Sequence, residues 1–221
     1  MVSLRVAGAI ALAVVLWPAP AEAGLDIDFG AQVKLDDQTD LYVAISSRYF
    51  DHDRQSVATL RSRYSNPDDL AVALFISRQS GNSPEAVHRL RRQGLSWWDI
   101  SVRFGLPAEI WFVPVSRDPG PPYGKAYGHW KKHRKNHRAA VVLHDADVRN
   151  LVAVRVLHEY YGVPVEVAMD WRADGRRLPE LLSEEYVRRH GKADRARSGK
   201  SGHEKGHAKG HGKGRGHRRE P

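Results

Sequence analysis

The stretch "NPDDLAVALFISRQSGNSPEAVHRLRRQG", Asn66 to Gly94, decides the fold class. It opens Asn-Pro-Asp-Asp, which sets capping oxygens and two acids at the positive end of a helix dipole. Leu70, Ala73, Leu74 and Ser77 follow at helical spacing. Ser83 stands where an N-cap accepts hydrogen bonds from free amides, and Pro84 suits a first helical position that needs no amide. Gly94 suits the left-handed residue that ends a helix. The stretch therefore reads as two helices joined by a tight turn.

The same unit recurs along the chain. Residues 47–70 align with 77–100 at a constant offset of 30, pairing Val57 with Val87, Leu60 with Leu90, Arg61 with Arg91 and Leu70 with Ile100. A third copy, 158–181, matches at an offset near 80, with Pro84 on Pro164, Val87 on Val167, and Gly94 on Gly175 after one inserted residue. Asp53 repeats the N-cap, and Gly105 and Gly162 repeat the glycine stop. "DADVRNLVAVRVLHEYY" (145–161) spaces Val148, Leu151, Val152, Arg155 and Val156 as a helix does. The short pieces "EIWFVPV" (109–115) and "AAVVLH" (139–144) either pair as a minor two-stranded element or lie extended. The expected fold is all-α, built from repeated short tri-helical units of helix-turn-helix type. The helical domain spans 36–190, with units 36–115 and 141–190 joined by a basic aromatic loop over 116–140.

The two ends read differently. "MVSLRVAGAIALAVVLWPAPAEAG" has Arg5, an apolar run from Val6 to Trp17, two prolines and an Ala-x-Ala site before Gly24. That is the pattern of a secretory signal peptide over 1–23, and the run of about 12 apolar residues is short for a membrane span. A flexible segment, 24–35, is expected after it. The implied location is the periplasm or the extracellular space. The chain has no cysteine, which excludes disulfides and thiol catalysis. At the other end, residues 191–221 contain no large apolar side chain and are expected to stay disordered.

Charge concentrates in two places. The whole chain carries +9. Residues 191–221 hold ten Lys/Arg against three acids, and residues 120–138 hold six Lys/Arg and no acid. The rest is mildly acidic, so contact with a polyanion is the physical expectation. In "GPPYGKAYGHWKKHRKNH" (120–137), the candidate anion-binding residues are Lys125, Lys131, Lys132, Arg134 and Lys135, with Arg138 just beyond. Tyr123, Tyr127 and Trp130 are the candidate aromatic contacts: they either stack on rings of a partner or fold back onto the helical body. His129, His133 and His137 recur every four residues, a spacing that suits metal on one helix face, but the surrounding cations oppose it. The spacing Gly120 to Gly124, followed by Lys125-Ala126, fails the phosphate-loop pattern.

The tail repeats Gly-His-x-Lys, which makes His203, His207, His211 and His217 candidate ligands for Zn, Ni or Cu. A plain basic tail that adheres to the envelope explains the same composition. Catalytic signatures are missing: "HEYYG" (158–162) has Gly162 where a zincin needs histidine, and no Gly-x-Ser-x-Gly occurs. The doublets Asp36-Asp37, Asp68-Asp69 and Glu184-Glu185 read as helix-start or solvent-facing acids. An acid–base pair of His144 with Asp145 or Asp147 stays open as a candidate. Trp97 and Trp98 open a short helix, with at least one in the core.

"VLHEYYGVPVEVAMDWRADG" (156–175) resembles the helix-turn-helix of DNA-binding proteins, with a shorter echo in "SVRFGLPAEI" (101–110). Its second helix is neutral to acidic, a poor surface for phosphates, and an exported protein does not meet the genome. "GLSWWDISVRFGLPAEIWFVPV", then "GPPYGKAYGHWKK", then "ADVRNLV" and "EYYG" together resemble a family of bacterial exported helical proteins without an established function, over about 68–165. The resemblance implies a helical fold and export, and brings no catalytic residue. The reading that results is a non-enzymatic exported scaffold that contacts an anionic polymer or acidic protein of the cell envelope through the basic aromatic loop and tail. The alternatives are a divalent-metal sequestering protein, a helix-turn-helix nucleic-acid binder and an unrecognised envelope enzyme.

Overall fold

A computed structural model of the chain describes residues 38–136 and 140–201. The expected signal peptide (1–23), residues 24–35, Arg138, and His203, His207, His211 and His217 lie outside the described residues. The described part is all-α and contains no strand. In chain order the helices are α1 (Gln38–Phe50), α2 (Arg54–Arg61), α3 (Asp68–Ser80), α4 (Pro84–Arg92), α5 (Trp97–Arg103), α6 (Gly124–Lys135), α7 (Asp145–Tyr161), α8 (Val165–Ala173) and α9 (Leu178–Ser201), with a 3-10 turn at Ala108–Trp111.

Helices α3 and α7 form the centre and pack on each other. Every residue of α3 from Asp68 to Ser77 is buried, so its surface is covered all round. Leu70, Leu74 and Ile76 are fully buried there, and each contributes about 1.5–3 kcal/mol relative to exposure. Helices α1, α4 and α5 cover α3, while α5, α8 and α9 cover α7.

The repeat holds, and its third copy needs a different register. Asp51, Gly81 and Gly162 are the left-handed residues after α1, α3 and α7, with φ of 57°, 70° and 63°. Asp53, Ser83 and Pro164 are then the N-caps of the short helices α2, α4 and α8. Pro164 is thus an N-cap and not the first helical residue, which moves the offset between second and third copies to 81 throughout. The buried partner of Val87 is therefore Ala168; Val167 is 37% exposed. Gly94 and Gly175 fall in register without any insertion, both left-handed. The proline match at an offset of 80 had placed the copy one residue out, because proline is tolerated at either position.

That register exposes a reciprocal ion-pair arrangement. Arg91 at the end of α4 pairs with Asp145 at the start of α7, and Asp145 Oδ1 also accepts the Trp97 backbone N–H at 2.8 Å. Arg172, the equivalent residue of α8, pairs with Asp68 at the start of α3 at 2.6 Å, and Asp68 Oδ1 accepts the Leu178 N–H at 3.0 Å. Each arginine also donates to the carbonyl four residues on, Leu95 or Arg176. Each tri-helical unit therefore grips the first helix of the other through an arginine at the same repeat position, although the aspartates it meets stand at different positions of the repeat.

Two sequence expectations change, and one open alternative is decided. The segment 116–140, expected as a loop, contains α6 over 124–135. The piece 140–144 lies extended, with Val141 and Leu143 buried and Val142 exposed, but no partner strand completes a ladder. The last helix extends beyond residue 190 to Ser201, because adding a residue to an existing helix needs no new nucleus.

Candidate functional site

The doublet Asp68-Asp69 is not a solvent-facing cap. Both residues are buried, and both carboxylates are matched. Asp69 accepts Trp97 Nε1 at 3.0 Å and Arg149 Nε at 2.5 Å. Glu185 is likewise buried and pairs with Arg188 and Arg189, whereas Glu184 stays exposed against Arg176. Sequence reading missed these because adjacent acids look alike whether they cap a helix, face solvent or pair. The available signal was Arg61 aligned with Arg91, an arginine repeated at one position of each unit.

The acid–base candidates do not converge. His144 is the N-cap of α7, and its backbone N–H donates to Asp147 at 3.0 Å. Asp145 is committed to Arg91 and Trp97. His158 Nδ1 lies 2.9 Å from the Val163 carbonyl, fourteen residues further along α7 and thus roughly 21 Å away from His144.

The basic aromatic segment is the distinctive site. Tyr123 and Gly124 both donate backbone N–H to the Gly120 carbonyl at 3.0 Å, which turns the chain into α6. A Cβ on Gly124 would come within 3.2 Å of the Pro119 carbonyl oxygen, so this close approach favours glycine. Tyr123, Tyr127 and Trp130 share one side of the helix at spacings of four and three. Tyr123 is buried with its hydroxyl 3.4 Å from the Met169 carbonyl, and Tyr127 donates to the Val113 carbonyl at 2.8 Å. Burial pushes the Tyr127 hydroxyl up to about 12, so it stays a donor at neutral pH. Trp130 stacks flat on Phe112 at 4.9 Å, with the His133 ring 5.8 Å away. The two tyrosines therefore anchor α6 to the body and are not open platforms for a partner's rings.

The cations take the remaining sides. Lys125, Lys131, Lys132, Arg134 and Lys135 are all exposed. Lys125 and Lys132 lie two turns apart on the outer side, about 10 Å along the axis, with Lys135 one turn further. Lys131 and Arg134 instead flank Trp130 at a groove of about 440 Å³ between α6 and the extended segment 112–118. Lys131 pairs across it with Asp118 at 2.7 Å, and both side chains are mostly exposed. No group of three metal-ligating side chains occurs among the described residues, and His137 lies outside them. Among the described residues no helix is long and apolar enough to cross a membrane.

The short helices of the repeat differ in surface. Helix α4 exposes Arg89 and Arg92, whereas the outward residues of α8 include Asp170 and the half-buried Glu166. A pair of phosphate-reading helices is not formed. No protein-family model, curated protein or solved structure matches the chain.

Proposed function

We propose that the chain is an exported, non-enzymatic helical scaffold that binds an anionic polymer of the cell envelope through the outer side of α6. One observation carries this reading. Helix α6 spends its aromatic side on anchoring and turns Lys125, Lys132 and Lys135 outward, with no acidic residue anywhere in its sequence. Cations two turns apart on a held helix match a repeating line of charge, and they are organised before the partner arrives. The signal-peptide pattern supports export, and the basic tail adds further positive charge to the same chain.

The test is retention of the full chain on an immobilised polyanion across a salt gradient, against the triple variant Lys125→Gln, Lys132→Gln, Lys135→Gln. Each lost contact should lower the slope of log affinity against log salt by about 0.7–0.9, so the triple variant should lose roughly 2–3 in slope. The tail contributes equally to both proteins and cancels. An unchanged slope would remove α6 from the binding surface.

A further inference from the structure

The groove beside α6 differs chemically from the helix's outer side. Its wall on the 112–118 segment brings Phe112, Val115 and Arg117; its wall on α6 brings Trp130, Lys131 and Arg134. About 440 Å³ lies within the range of small-ligand sites. The apolar surface suits a flat C–H face, and the arginines suit a carboxylate. Neither Arg117 nor Arg134 has a carboxylate within ion-pair distance among the described residues. Arg117 does lie close enough to Glu166 to help Ser116, the larger cause, hold its carboxyl below the usual range.

Carboxylates also belong to the site. Asp118 lines this groove and the adjoining hollow of about 260 Å³, where Glu166 and Asp170 follow. Glu166 holds Ser116 through one oxygen, Oε1, which accepts both the backbone N–H and the hydroxyl. A phosphate-dense chain running along this path would meet three like charges. A hydroxyl-rich chain would donate to them. The pair joining Lys131 to Asp118 is mostly exposed and of the kind worth under about 1 kcal/mol, so a ligand carboxylate can replace Asp118 at Lys131.

The geometry points to a subsite for the sugar rings of an acidic polysaccharide: the ring's C–H face lies against Val115 and the part of Trp130 that lines the groove, Phe112 being stacked beneath Trp130, its carboxylate meets Arg117 and Arg134, and its hydroxyls donate to Asp118 and onward to Glu166 and Asp170. This deepens the proposed function and rests on it, since α6 supplies both surfaces.

The experiment is calorimetric titration of the full chain with a polygalacturonate oligomer, with polyphosphate of matched charge and with single-stranded oligothymidylate. The variants are Trp130→Ala, Arg117→Gln and Lys132→Gln. The subsite requires the uronate oligomer to bind more tightly than matched polyphosphate. Trp130→Ala and Arg117→Gln should each weaken uronate about tenfold and leave polyphosphate within about twofold. Equal losses on both polymers, or no loss on either, would overturn the subsite while leaving the α6 reading intact. Should Trp130→Ala lower the melting temperature, Arg117→Gln on the exposed segment decides alone. Tightest binding of oligothymidylate, lost in Trp130→Ala, would replace the sugar by a nucleobase and overturn the proposal. If Lys132→Gln affects no probe, the α6 reading itself fails.

Discussion

Replacing Asp68 by asparagine tests what holds the two tri-helical units together. The side chain keeps its size, and its carbonyl oxygen can still accept the Leu178 N–H. What disappears is the charge facing Arg172, and an amide N–H₂ then confronts the guanidinium. The Asp68 and Arg172 side chains are 4% and 7% exposed, so water cannot replace the lost partner. Arg172 retains only neutral acceptors, Asn150 Oδ1 at 2.9 Å and the Arg176 carbonyl at 2.5 Å. Leaving one charge of a buried pair uncompensated costs about 3–5 kcal/mol. That is a large part of a typical folding free energy of about 5–15 kcal/mol. For a chain of this size it corresponds to a fall in melting temperature of about 6–20 °C.

Urea denaturation followed by circular dichroism would measure the loss, with Arg172→Met and the double variant completing a thermodynamic cycle. The double variant should be no less stable than the worse single one, a coupling on the order of 2 kcal/mol. Two further pairs calibrate the result. Asp145→Asn, whose side chain is 27% exposed, should cost less than Asp68→Asn. Asp118→Asn, at 78% exposed, should change stability by under about 0.5 kcal/mol. A loss below about 1 kcal/mol for Asp68→Asn would refute the argument, since burial would then not govern these pairs.

Three other outcomes are expected. Ala168→Leu should destabilise by about 1–3 kcal/mol through overpacking, while Val167→Ser stays within about 0.5 kcal/mol; the reverse order would return the third repeat to the offset of 80. Tyr127→Phe should cost about 1 kcal/mol by leaving the Val113 carbonyl unpaired, and an unchanged urea midpoint would show that α6 is anchored otherwise. Burial, then the neighbouring Arg63 and Arg92, hold His88 below the ordinary histidine range against the opposing Glu85, with the Tyr64 ring edge-on at 5.0 Å. A base with a depressed folded pKa leaves the unfolded chain binding more protons. Stability is then complete above the unfolded value near 6.5 and is lost as pH falls through it. His88→Gln should therefore flatten the fall in melting temperature between about pH 7 and 5, and identical profiles would dismiss the effect.

Short-range signals carried most of the fold. The N-caps Asp53 and Ser83, Pro84 at the first turn and the glycine stops are decided within a few residues, and they stand where the residues alone placed them. Of Trp97 and Trp98, at least one of them expected in the core, Trp97 is fully buried at the start of α5. What the local pattern left open depends on distant neighbours. Val141, Val142 and Leu143 alternate like a strand, and of the two readings left open the extended one holds, since a ladder needs a second chain segment that no local pattern supplies. Asp68 looks like a surface acid until Arg172, 104 residues away, is brought beside it, whereas the partners of Glu185 are local, Arg188 and Arg189, and only its burial depends on distant packing. At the candidate site, the aromatic and basic residues were legible as a group, and the division between anchoring tyrosines and outward lysines was not.

Helix α6 joins that last point to function. Gly124 and Gly128 each cost about 1 kcal/mol of helix preference. Lys131 and Lys135 repel one another one turn apart, and no carboxylate within the helix relieves them. As an isolated peptide such a sequence would not be helical, which is why it reads as a loop. It is helical because Tyr123, Tyr127 and Trp130 reach the Met169 carbonyl, the Val113 carbonyl and the Phe112 ring. On the outer side, Lys132 and Lys135 lie in the last turn, where the helix dipole favours cations, so the dipole offsets their mutual repulsion and stability gives little reason to keep or to lose them. Exchanging Lys125, Lys132 and Lys135 for glutamine should therefore change stability by under about 0.5 kcal/mol while lowering the salt slope of binding by roughly 2–3. Anchor substitutions such as Tyr127→Phe should do the opposite, lowering stability while leaving the charges in place. A surface whose charges can be removed with little change in stability but a clear loss of binding is one maintained for its partner.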